Sequence, residues 1–423
     1  MTRPPLPDGP YLVVGLARSG AAAARMLLPH GDVVGVDSAH PGPPPGVESH
    51  LGTDGVDLLN RVACVVKSPG VPNEAPVIVA ARERGMPVLG ELELAWRLLR
   101  NRFVAVTGTN GKTTTCELLG AVYREAGAPV AVAGNVGTPL SSLVGVVDED
   151  AVIVCEVSSF QAEDAEAFAP ETALLLNLTE DHLDRHGSFE AYREAKLRVF
   201  ANQTPEHVAV APPGIVLPGA ARRVVFGDPA DLPLPVEEIR LRGRHNLQNA
   251  MGASAAALAS GVRPDAVGRA LRTFAGVPHR LEEVGTVGGV LYVNDSKATN
   301  VASAARGIEA FDGGVHVILG GSLKTPPPGT RGEGGGFAGL RESVASRCRA
   351  CYLIGEATER LERELAGTAP LRRCGDLETA VRAAASAASA GEVILLSPAC
   401  ASYDQFRDFE ERGDRFRQLV PRA

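Results

Sequence analysis

The residues with the clearest chemical potential form a short loop, Thr107-Gly-Thr-Asn-Gly-Lys-Thr-Thr114. The apolar segment 103–106 precedes the loop and is predicted to be a buried strand, and a helix is predicted to follow as far as about residue 126. Glycines allow backbone N–H groups to turn inward around an anion, and the first turn of the helix adds the positive end of its dipole. This order of strand, glycine loop and helix predicts a phosphate site.

Two side chains of the loop have defined roles in such a site. Lys112 can reach the terminal phosphates of a nucleotide, and the hydroxyl group of Thr113 can ligate Mg²⁺. The loop departs from the general GxxxxGK[ST] pattern because Val106 stands at the position of the first glycine. A purely structural turn is the alternative, and the strand and helix on either side favour the phosphate loop over it.

Polar residues at the ends of two later strands are candidates for metal binding. Glu156 follows the apolar run 151–155, and His182 follows the run 172–177. The carboxyl ends of parallel strands meet at one edge of a sheet, where ligands bind. A carboxylate oxygen suits Mg²⁺, and a neutral imidazole can ligate a metal. Considered alone, Glu156 could be a solvated loop charge, and Lys196 would be an ordinary surface lysine.

A second glycine-containing turn, Gly15-Leu-Ala-Arg-Ser-Gly20, lies near the N-terminus between the apolar run 11–14 and an alanine-rich helical segment. Asp37 ends the next predicted strand, where a Rossmann-type domain has an acidic residue for a ribose hydroxyl. Ala17 replaces the middle glycine, whose missing side chain normally admits a pyrophosphate. The pattern therefore predicts nucleotide binding but disfavours a nicotinamide cofactor, and a tight turn without a ligand remains the alternative.

The elements that must position these residues alternate between strand and helix. Further strands are predicted wherever a short apolar run borders a helical stretch, at residues 33–36, 290–293, 315–319, 351–354 and 393–396. This alternation predicts an α/β fold with mostly parallel sheets. The domains are predicted at residues 1–92, 93–276 and 277–423. The segment 325–336 is too rich in proline and glycine to pack and is predicted to be a mobile loop.

Composition narrows the classes of function. The 423 residues carry a net charge of −8, which gives no global field for a nucleic acid. No apolar run reaches the roughly 18 residues that span a bilayer, so no membrane association is expected. Seven scattered cysteines fit a reducing compartment, and a cytoplasmic location is predicted. The Cys348/Cys351 pair has no second pair at zinc-ligand spacing and is predicted to be two buried thiols.

The motifs resemble those of the Mur ligase family, whose members form amide bonds with ATP. The short phosphate loop is also the form found in folylpolyglutamate synthases. Pro278-His-Arg280, Asn294-Asp-Ser-Lys-Ala-Thr-Asn300 and Leu396-Ser-Pro-Ala-Cys-Ala-Ser-Tyr-Asp-Gln-Phe406 are similar to family motifs, and the last resembles the signature of the branch that adds D-glutamate. The resemblance extends nearly end to end. It implies a Rossmann-like N-terminal domain, a P-loop-type central ATPase domain on a mostly parallel sheet, and a Rossmann-like C-terminal domain.

The resemblance implies functional roles residue by residue. Catalytic roles are implied for Lys112, Glu156, His182 and Lys196, and metal ligation for Thr113, Glu156, His182 and, if carbamylated, Lys196. ATP binding is implied for the loop and three distant residues, namely Gly108, Thr109, Asn110, Gly111, Lys112, Thr113, Thr114, Asn249, Arg280 and Asp295. Substrate binding is implied for Arg18, Ser19, Asp37, Ser38, Ser68, Asn135, Lys297, Thr299, Lys324, Ser402 and Phe409.

The residues implied in substrate binding would contact different parts of the substrates. The residues from Arg18 to Ser68 would hold a UDP group, Asn135 would face the muramoyl part, and Lys324, Ser402 and Phe409 would hold D-glutamate. Lys297 and Thr299 belong to an interdomain strip. Leu323 stands where the family usually has glycine, so Arg331 is an alternative to Lys324 as the cation of the amino-acid pocket.

The implied reaction is the ATP-dependent coupling of D-glutamate to UDP-N-acetylmuramoyl-L-alanine through an acyl phosphate. Two Mg²⁺ ions, a monomeric state and a place in cytoplasmic peptidoglycan precursor synthesis are implied with it. One alternative is another Mur-type or folylpolyglutamate-synthase-type amide ligase. The other is a nucleotide-binding scaffold that has lost the reaction, which would have no need of the catalytic residues and Thr113 together.

Overall fold

The computed structural model describes residues 3–241, 243–323 and 336–421, and the chain divides into two compact units, Met1–Phe274 and Ala275–Ala423. Lys324, Arg331 and all but the last residue of the predicted loop 325–336 lie outside the described residues. Each unit is built from parallel strands and helices. The first unit contains two sheets and the second contains one. The division of the first unit at residue 92 stays a prediction.

The first five strands form a parallel sheet in the order β3-β2-β1-β4-β5. They are β1 (Tyr11–Val14), β2 (Val33–Asp37), β3 (Glu48–Leu51), β4 (Cys64–Lys67) and β5 (Val88–Gly90). Helices α1 (Arg18–Leu27), α2 (Pro76–Glu83) and α3 (Glu91–Leu98) accompany them. All four residues of the central strand β1 are buried, as expected for a parallel sheet covered on both faces. The strand order reverses between β1 and β4, and such sheets bind ligands at that point.

The second sheet is also entirely parallel, in the order β11-β10-β9-β6-β8-β7. Its strands are β6 (Arg102–Thr107), β7 (Val130–Gly134), β8 (Val152–Glu156), β9 (Thr172–Leu175), β10 (Val208–Ala211) and β11 (Arg222–Val225). Its helices are α4 (Lys112–Glu125), α5 (Ser159–Glu163), α6 (Leu183–His186), α7 (Phe189–Ala201), α8 (Arg244–Ala259) and α9 (Pro264–Thr273). Because β6 lies between β8 and β9, the loops that follow these three strands are neighbours.

Helix α3 joins the two sheets of the first unit. Trp96 packs edge-on against Phe168, with ring centroids 5.7 Å apart. The buried carboxylate of Glu93 accepts backbone N–H bonds from residues 166–168, which lie between α5 and β9. Leu89 and Gly90 still belong to β5, and α3 begins at Glu91. Charge-assisted bonds of this kind are stronger than neutral ones and fix the helix in place.

The second unit has the strand order β12-β13-β17-β14-β15-β16. Its strands are β12 (Glu282–Val287), β13 (Val290–Asn294), β14 (Val315–Gly320), β15 (Cys348–Ile354), β16 (Leu371–Gly375) and β17 (Val393–Leu396). Its helices are α10 (Val301–Glu309), α11 (Arg341–Arg347), α12 (Thr358–Leu365), α13 (Leu377–Ala387) and α14 (Phe409–Leu419). Only β12 among the paired strands of this unit's described residues is antiparallel to its neighbour, β13.

All seven cysteines are free thiols, and five of them are buried. Cys348 and Cys374 are the two that are partly exposed, so the predicted burial of the Cys348/Cys351 pair holds for Cys351 only. In the ranges that the structure describes, no helix is both long enough and apolar enough to cross a lipid bilayer.

Candidate active site

The phosphate loop after β6 is held by the neighbouring loop after β9. The backbone N–H of Thr109 donates to the carbonyl oxygen of Asn177 at 3.1 Å, and that of Asn110 donates to Asn177 Oδ1 at 2.9 Å. Asn177 Nδ2 donates back to the Asn110 carbonyl oxygen at 3.2 Å. The hydroxyl group of Thr109 donates to the carbonyl oxygen of Thr179 at 3.1 Å. The loop is therefore preorganised by its own sheet.

Gly111 is required at the tip of the loop for two reasons. Its φ of 85° is left-handed, and a Cβ atom there would lie 2.1 Å from Oδ1 of Asn249. Asn249 belongs to α8 and is itself buried. The structure thus brings Asn249, a predicted ATP-binding residue, against the phosphate loop. Lys112, Thr113 and Thr114 follow in the first turn of α4, whose N-terminus faces the loop.

Two lysines converge on one carbonyl oxygen of the loop. Lys112 Nζ and Lys196 Nζ each donate to the Gly108 carbonyl oxygen at 2.8 Å, and Lys112 Nζ also donates to that of Thr109 at 2.9 Å. Lys196 comes from α7, far away in sequence. Two ammonium groups on one acceptor make this end of the sheet strongly attractive to an anion.

Lys196 lies in an environment that favours its neutral form. Its residue is 2% exposed, and its ammonium lies 4.6 Å from the ring centroid of Tyr192. Burial and the charge of Lys112 lower the pKa of Lys196 to about 7, although Asp181 and Glu156 act in the opposite direction. Tyr192 also donates through its hydroxyl group to Thr109 Oγ1 at 3.0 Å. Tyr192 therefore links α7 to the phosphate loop.

Glu156 ends β8 beside the phosphate loop and is 3% exposed. Asn135 donates to it twice, from its backbone N–H to the carbonyl oxygen at 3.0 Å and from Nδ2 to Oε1 at 3.3 Å. Gly134 permits this approach, since a Cβ atom there would lie 2.3 Å from the Glu156 carbonyl oxygen. The structure thus joins two predicted site residues, one for metal and one for substrate.

His182 lies at the same edge of the sheet but is largely exposed. Its backbone is left-handed, with φ of 52°, and it precedes α6 directly. Its ring lies 5.0 Å from that of Phe160 and 6.4 Å from that of Tyr192. Across residues 3–241, 243–323 and 336–421, no three or more His, Cys, Asp or Glu side chains converge as a metal site. A metal held here would need other oxygen donors as well.

A cavity of about 800 Å³ opens at the carboxyl ends of β1 and β4 in the first unit. Its lining includes five predicted UDP residues together with Asn135, namely Arg18, Ser19, Asp37, Ser38, Ser68 and Asn135. The cavity therefore lies between the residues predicted for the nucleotide and the one predicted for the sugar. Its volume suits a ligand of nucleotide size.

Two of the cavity residues shape the turn after β1. Asp37 Oδ2 accepts a bond of 2.7 Å from the backbone N–H of Leu16, and Ser68 Oγ donates at 2.7 Å to the carbonyl oxygen of Gly15. Asp37 Oδ1 accepts from the backbone N–H of Ala39 at 2.8 Å. Both carboxylate oxygens thus already have a backbone donor, which makes Asp37 a support of the turn as well as a candidate ligand.

In the second unit, Asp295 follows β13 and is 5% exposed. It accepts bonds from Ser397 Oγ at 2.8 Å and from the backbone N–H of Leu281 at 3.2 Å. Burial raises the pKa of Asp295 to about 7. Leu281 has left-handed φ of 45°, and Arg280 beside it is exposed. The bond to Leu281 thus fixes the turn that presents Arg280.

Lys297, Thr299 and Phe409 lie close to this turn. Lys297 donates its backbone N–H to the carbonyl oxygen of His279 at 3.0 Å, and its ammonium lies 5.8 Å from the ring of Phe409. Thr299 donates its backbone N–H to the carbonyl oxygen of Lys297 at 2.8 Å. The structure therefore gathers the predicted residues of the interdomain strip with one of the predicted D-glutamate residues.

Arg412 holds the remaining predicted residue, Ser402, near this group. It is 1% exposed and donates to the carbonyl oxygens of Ser296, Cys400 and Ala401 at 2.9 to 3.2 Å, and to Ser296 Oγ at 2.9 Å. Burial lowers the pKa of Arg412 to about 10. Ser402 is buried next to this guanidinium-bound segment, while Lys324 lies outside the described residues.

Neither Tyr192 nor Arg412 was predicted from the sequence as a site residue. Spacing could have indicated both. Tyr192 precedes Lys196 by one helical turn in α7, and Arg412 follows Phe409 by three residues in α14, so each lies on the same helix face as a predicted site residue.

The chain falls in the class of ATP-dependent amide ligases, as matches to family models show. The model of the Mur ligase middle domain matches residues 106–214, and that of the Mur ligase, glutamate ligase domain matches residues 279–400. The fold resembles that of UDP-N-acetylmuramate-alanine ligase from Thermotoga maritima, with a TM-score of 0.55, 18% identity, and coverage of 97% of this chain and 99% of that chain. It also resembles a bifunctional folylpolyglutamate synthase/dihydrofolate synthase from Yersinia pestis, complexed with AMPPNP and Mn ion, with a TM-score of 0.54, 19% identity, and coverage of 78% and 92%.

Full-length relatives specify the branch. The UDP-N-acetylmuramoylalanine–D-glutamate ligase of Acidobacterium capsulatum is 41% identical over 97% of this chain and 95% of the relative. That of Anaeromyxobacter dehalogenans is 42% identical over 99% of each. The chain belongs to the UDP-N-acetylmuramoylalanine–D-glutamate ligase family of Mur ligases.

Proposed function

We propose that this chain joins D-glutamate to the carboxylate of UDP-N-acetylmuramoyl-L-alanine and converts ATP to ADP and phosphate. The observation that carries the proposal is the meeting of Lys112 and Lys196 on the Gly108 carbonyl oxygen, beside the buried Glu156. A phosphoryl-transfer site needs cations and metal-binding oxygens around a preorganised loop. Relatives of about the same length, at 41% and 42% identity, support the choice of substrates.

ATP would place its terminal phosphates at the loop 108–114. The loop's amides and the N-terminus of α4 would face the phosphate oxygens. Lys112, now bonded to two loop carbonyls, would turn to the phosphates, since a phosphate oxygen is a stronger acceptor for an ammonium than a neutral carbonyl. Asn249 would stand at the adenosine side, and we propose that Arg280 and Asp295 also bind the nucleotide.

The donor set fits magnesium if Lys196 is modified. Glu156 offers a buried carboxylate with one long side-chain bond from Asn135, Thr113 offers a hydroxyl group, and His182 offers a ring nitrogen. An unmodified ammonium at Lys196 would repel a cation, whereas a carbamate there would supply oxygens. Formation of a carbamate needs a neutral amine, and the pKa of about 7 makes this form available near neutrality. Magnesium, when bound, would neutralise charge on the transferring phosphoryl group, and we propose two ions.

The precursor would bind through its UDP group in the cavity of the first unit. Arg18, Ser19, Ser38 and Ser68 would contact the nucleotide, and Asp37 would support them by holding the turn after β1. Asn135, which lines the cavity and also bonds Glu156, would connect the sugar end of the precursor to the phosphate edge. On this proposal, the carboxylate of the precursor would meet the γ-phosphate near Asn135.

The chemistry would take two steps. The precursor carboxylate attacks the γ-phosphate of ATP in line, which gives an acyl phosphate and ADP, while Lys112 stabilises the charge on the phosphoryl oxygens. The amine of D-glutamate then attacks the acyl carbon, and phosphate leaves the tetrahedral intermediate. We propose that Lys324, Ser402 and Phe409 hold D-glutamate, and that Lys297 and Thr299 support this pocket. A lysine ammonium and a hydroxyl group suit the carboxylates of an acidic amino acid.

Phosphate release by the purified protein tests the proposal. With ATP, Mg²⁺ and UDP-N-acetylmuramoyl-L-alanine, we expect release that depends on D-glutamate. Release with L-alanine, lysine or diaminopimelate but not with D-glutamate would assign another amide ligase activity. No release with any acceptor, together with retained ATP binding, would leave a nucleotide-binding scaffold.

The state and location of the protein complete the proposal. We propose a cytoplasmic monomer that binds no nucleic acid and no membrane. Light scattering after size exclusion would give 44.1 kDa for a monomer. A dimer mass at micromolar concentration would contradict this part alone.

A further inference from the structure

The loop that follows β4 forms one wall of the cavity. Residues 68–72, here named the substrate loop, all line the cavity, and its middle residues are partly or fully exposed. Two side chains anchor the loop, since Ser68 Oγ bonds the Gly15 carbonyl oxygen and Val71 packs against the apolar core of the first sheet. Groups that bind its backbone help to set the position of the rest.

Two cations bind one backbone atom of the substrate loop. The carbonyl oxygen of Val71 accepts from Arg185 Nη2 at 2.9 Å and from Lys67 Nζ at 3.2 Å. Lys67 is fixed below the loop by a fully buried ion pair with Asp164, at 2.9 Å. Arg185 arrives from the opposite side, because it belongs to α6 at the carboxyl edge of the second sheet.

Arg185 also contacts the aromatic group around His182. Its guanidinium lies 4.4 Å from the ring centroid of Phe160. Phe160 in turn lies 5.0 Å from the ring of His182 and is stacked on His186 at 5.3 Å. Helix α6 has only four residues, so its own hydrogen bonds cannot hold it and side-chain contacts must.

A second set of contacts also connects the neighbourhood of the substrate loop with α6. Asn73, just past the substrate loop, donates from Nδ2 to Glu163 Oε2 at 3.1 Å. Glu163 Oε1 lies 2.9 Å from Nδ1 of His186 at the end of α6. Residues next to the cavity are thus bonded to both α5 and α6. The substrate loop and the segment that begins at His182 are thus joined by more than one contact.

We propose that Arg185 is a positioning residue that couples precursor binding in the cavity to the arrangement of the His182 turn. This rests on the proposed function, because the precursor is the ligand assigned to the cavity. A bound UDP group presses on the substrate loop, the loop holds Arg185 through Val71, and Arg185 holds Phe160 and the turn. Hydrogen bonds with Asn177 and Tyr192 hold the phosphate loop, and Tyr192 meets this route through weaker ring contacts with His182 and His186.

Steady-state kinetics of Arg185→Met test the proposal. We expect KM for UDP-N-acetylmuramoyl-L-alanine to rise about tenfold, as for loss of one charged hydrogen bond, with a lower kcat and an unchanged KM for ATP. Arg102→Met is the matched control, because Arg102 likewise donates to a backbone carbonyl oxygen, that of Ser260 at 3.1 Å, which belongs neither to the substrate loop nor to α5 or α6. It should leave all three constants unchanged.

Arg185→Lys keeps the charge and one donor. This variant tests the proposal if Arg185→Met does not fold. We expect it to restore part of the precursor affinity but not the stacking on Phe160. A wild-type KM for the precursor in both variants, or equal increases in KM for the precursor and for ATP, would overturn the proposal. Failure of the proposed function is distinguishable, since the wild-type protein itself would then release no phosphate with D-glutamate.

Discussion

Lys196 Nζ donates a hydrogen bond of 2.8 Å to the carbonyl oxygen of Gly108, an atom that Lys112 Nζ contacts at the same distance. The two ammonium groups repel each other, and Lys196 is also cut off from water. An anion placed at the phosphate loop would relieve this repulsion. The two lysines that meet at the Gly108 carbonyl oxygen are thus expected to lower the stability of the ligand-free protein and to serve its activity. Mutation can separate these two effects.

Replacing Lys196 with methionine should abolish activity and stabilise the ligand-free protein. In the wild-type protein, the pKa of Lys196 falls from 10.5 in the unfolded chain to about 7 in the folded chain. Between these two pH values the unfolded chain binds more protons, so the free energy of unfolding rises with pH. Removal of the charge should yield a few kcal/mol at pH 7, and Gly108 keeps its bond from Lys112. Thermal unfolding between pH 7 and 10 measures both effects. A steeper pH dependence in Lys196→Met than in wild type would contradict them.

Gly111→Ala should raise KM for ATP by more than tenfold. The left-handed backbone costs about 1–2 kcal/mol for any other residue, and the new Cβ atom would overlap Asn249, which moves the loop. Gly127→Ala is the matched control, since Gly127 has similar φ of 73° but open space around it. The Gly127→Ala variant should be less stable than the wild-type protein, but its KM for ATP should not change. An equal effect of both variants on KM for ATP would show that backbone strain, and not the contact with Asn249, matters.

Arg412→Met should destabilise the second unit and weaken binding of D-glutamate. It removes the donors to three carbonyl oxygens, which we expect to cost about 2–4 kcal/mol. KM for D-glutamate should rise while KM for the precursor stays constant. Arg415→Met is the control from the same helix, because its ion pair with Glu378 is exposed and is worth less than about 1 kcal/mol. Equal losses in the two variants would refute a special role for Arg412.

The buried pair of Lys67 and Asp164 should behave as a unit. Lys67→Met or Asp164→Leu alone leaves one uncompensated group in the interior and should cost about 3–5 kcal/mol. The double variant Lys67→Met with Asp164→Leu should recover most of that loss. A double-mutant cycle in urea measures the coupling, with the exposed pair Arg269 and Glu125 as reference. Additive losses at the buried pair would mean that the two groups do not interact.

Sequence was sufficient for the parts of the fold that depend on local pattern. The mostly parallel α/β fold, the phosphate loop between strand and helix, and the placement of Glu156 at a strand end were predicted, because apolar runs and glycines act over short distances. Strand β12 was not predicted. Its residues alternate weakly and lie at an edge of the sheet, although the turn Gly288-Gly289, with both φ values positive, is a hairpin signal.

Contacts between distant segments could not be predicted from pattern alone. Nothing in the sequence around Arg185 indicates that its partner is the carbonyl oxygen of Val71, since any residue could supply that atom. The acidic position of Asp37 was predicted, but its two bonds to backbone N–H groups depend on the exact path of the turn. Such contacts depend on how distant segments of the chain pack together in the folded protein. The predicted roles of the site residues stay predictions until the experiments above are done.

The distribution of thiols has a practical consequence for probe chemistry. Cys348 and Cys374 are the two thiols that solvent reaches in part, and both belong to the second unit. Burial raises the pKa of Cys116, in α4 behind the phosphate loop, and so suppresses its reactive thiolate. A maleimide fluorophore applied to the native protein should therefore label the second unit and leave the first unit unlabelled. The wild-type protein can thus be labelled for fluorescence measurements at its native cysteines.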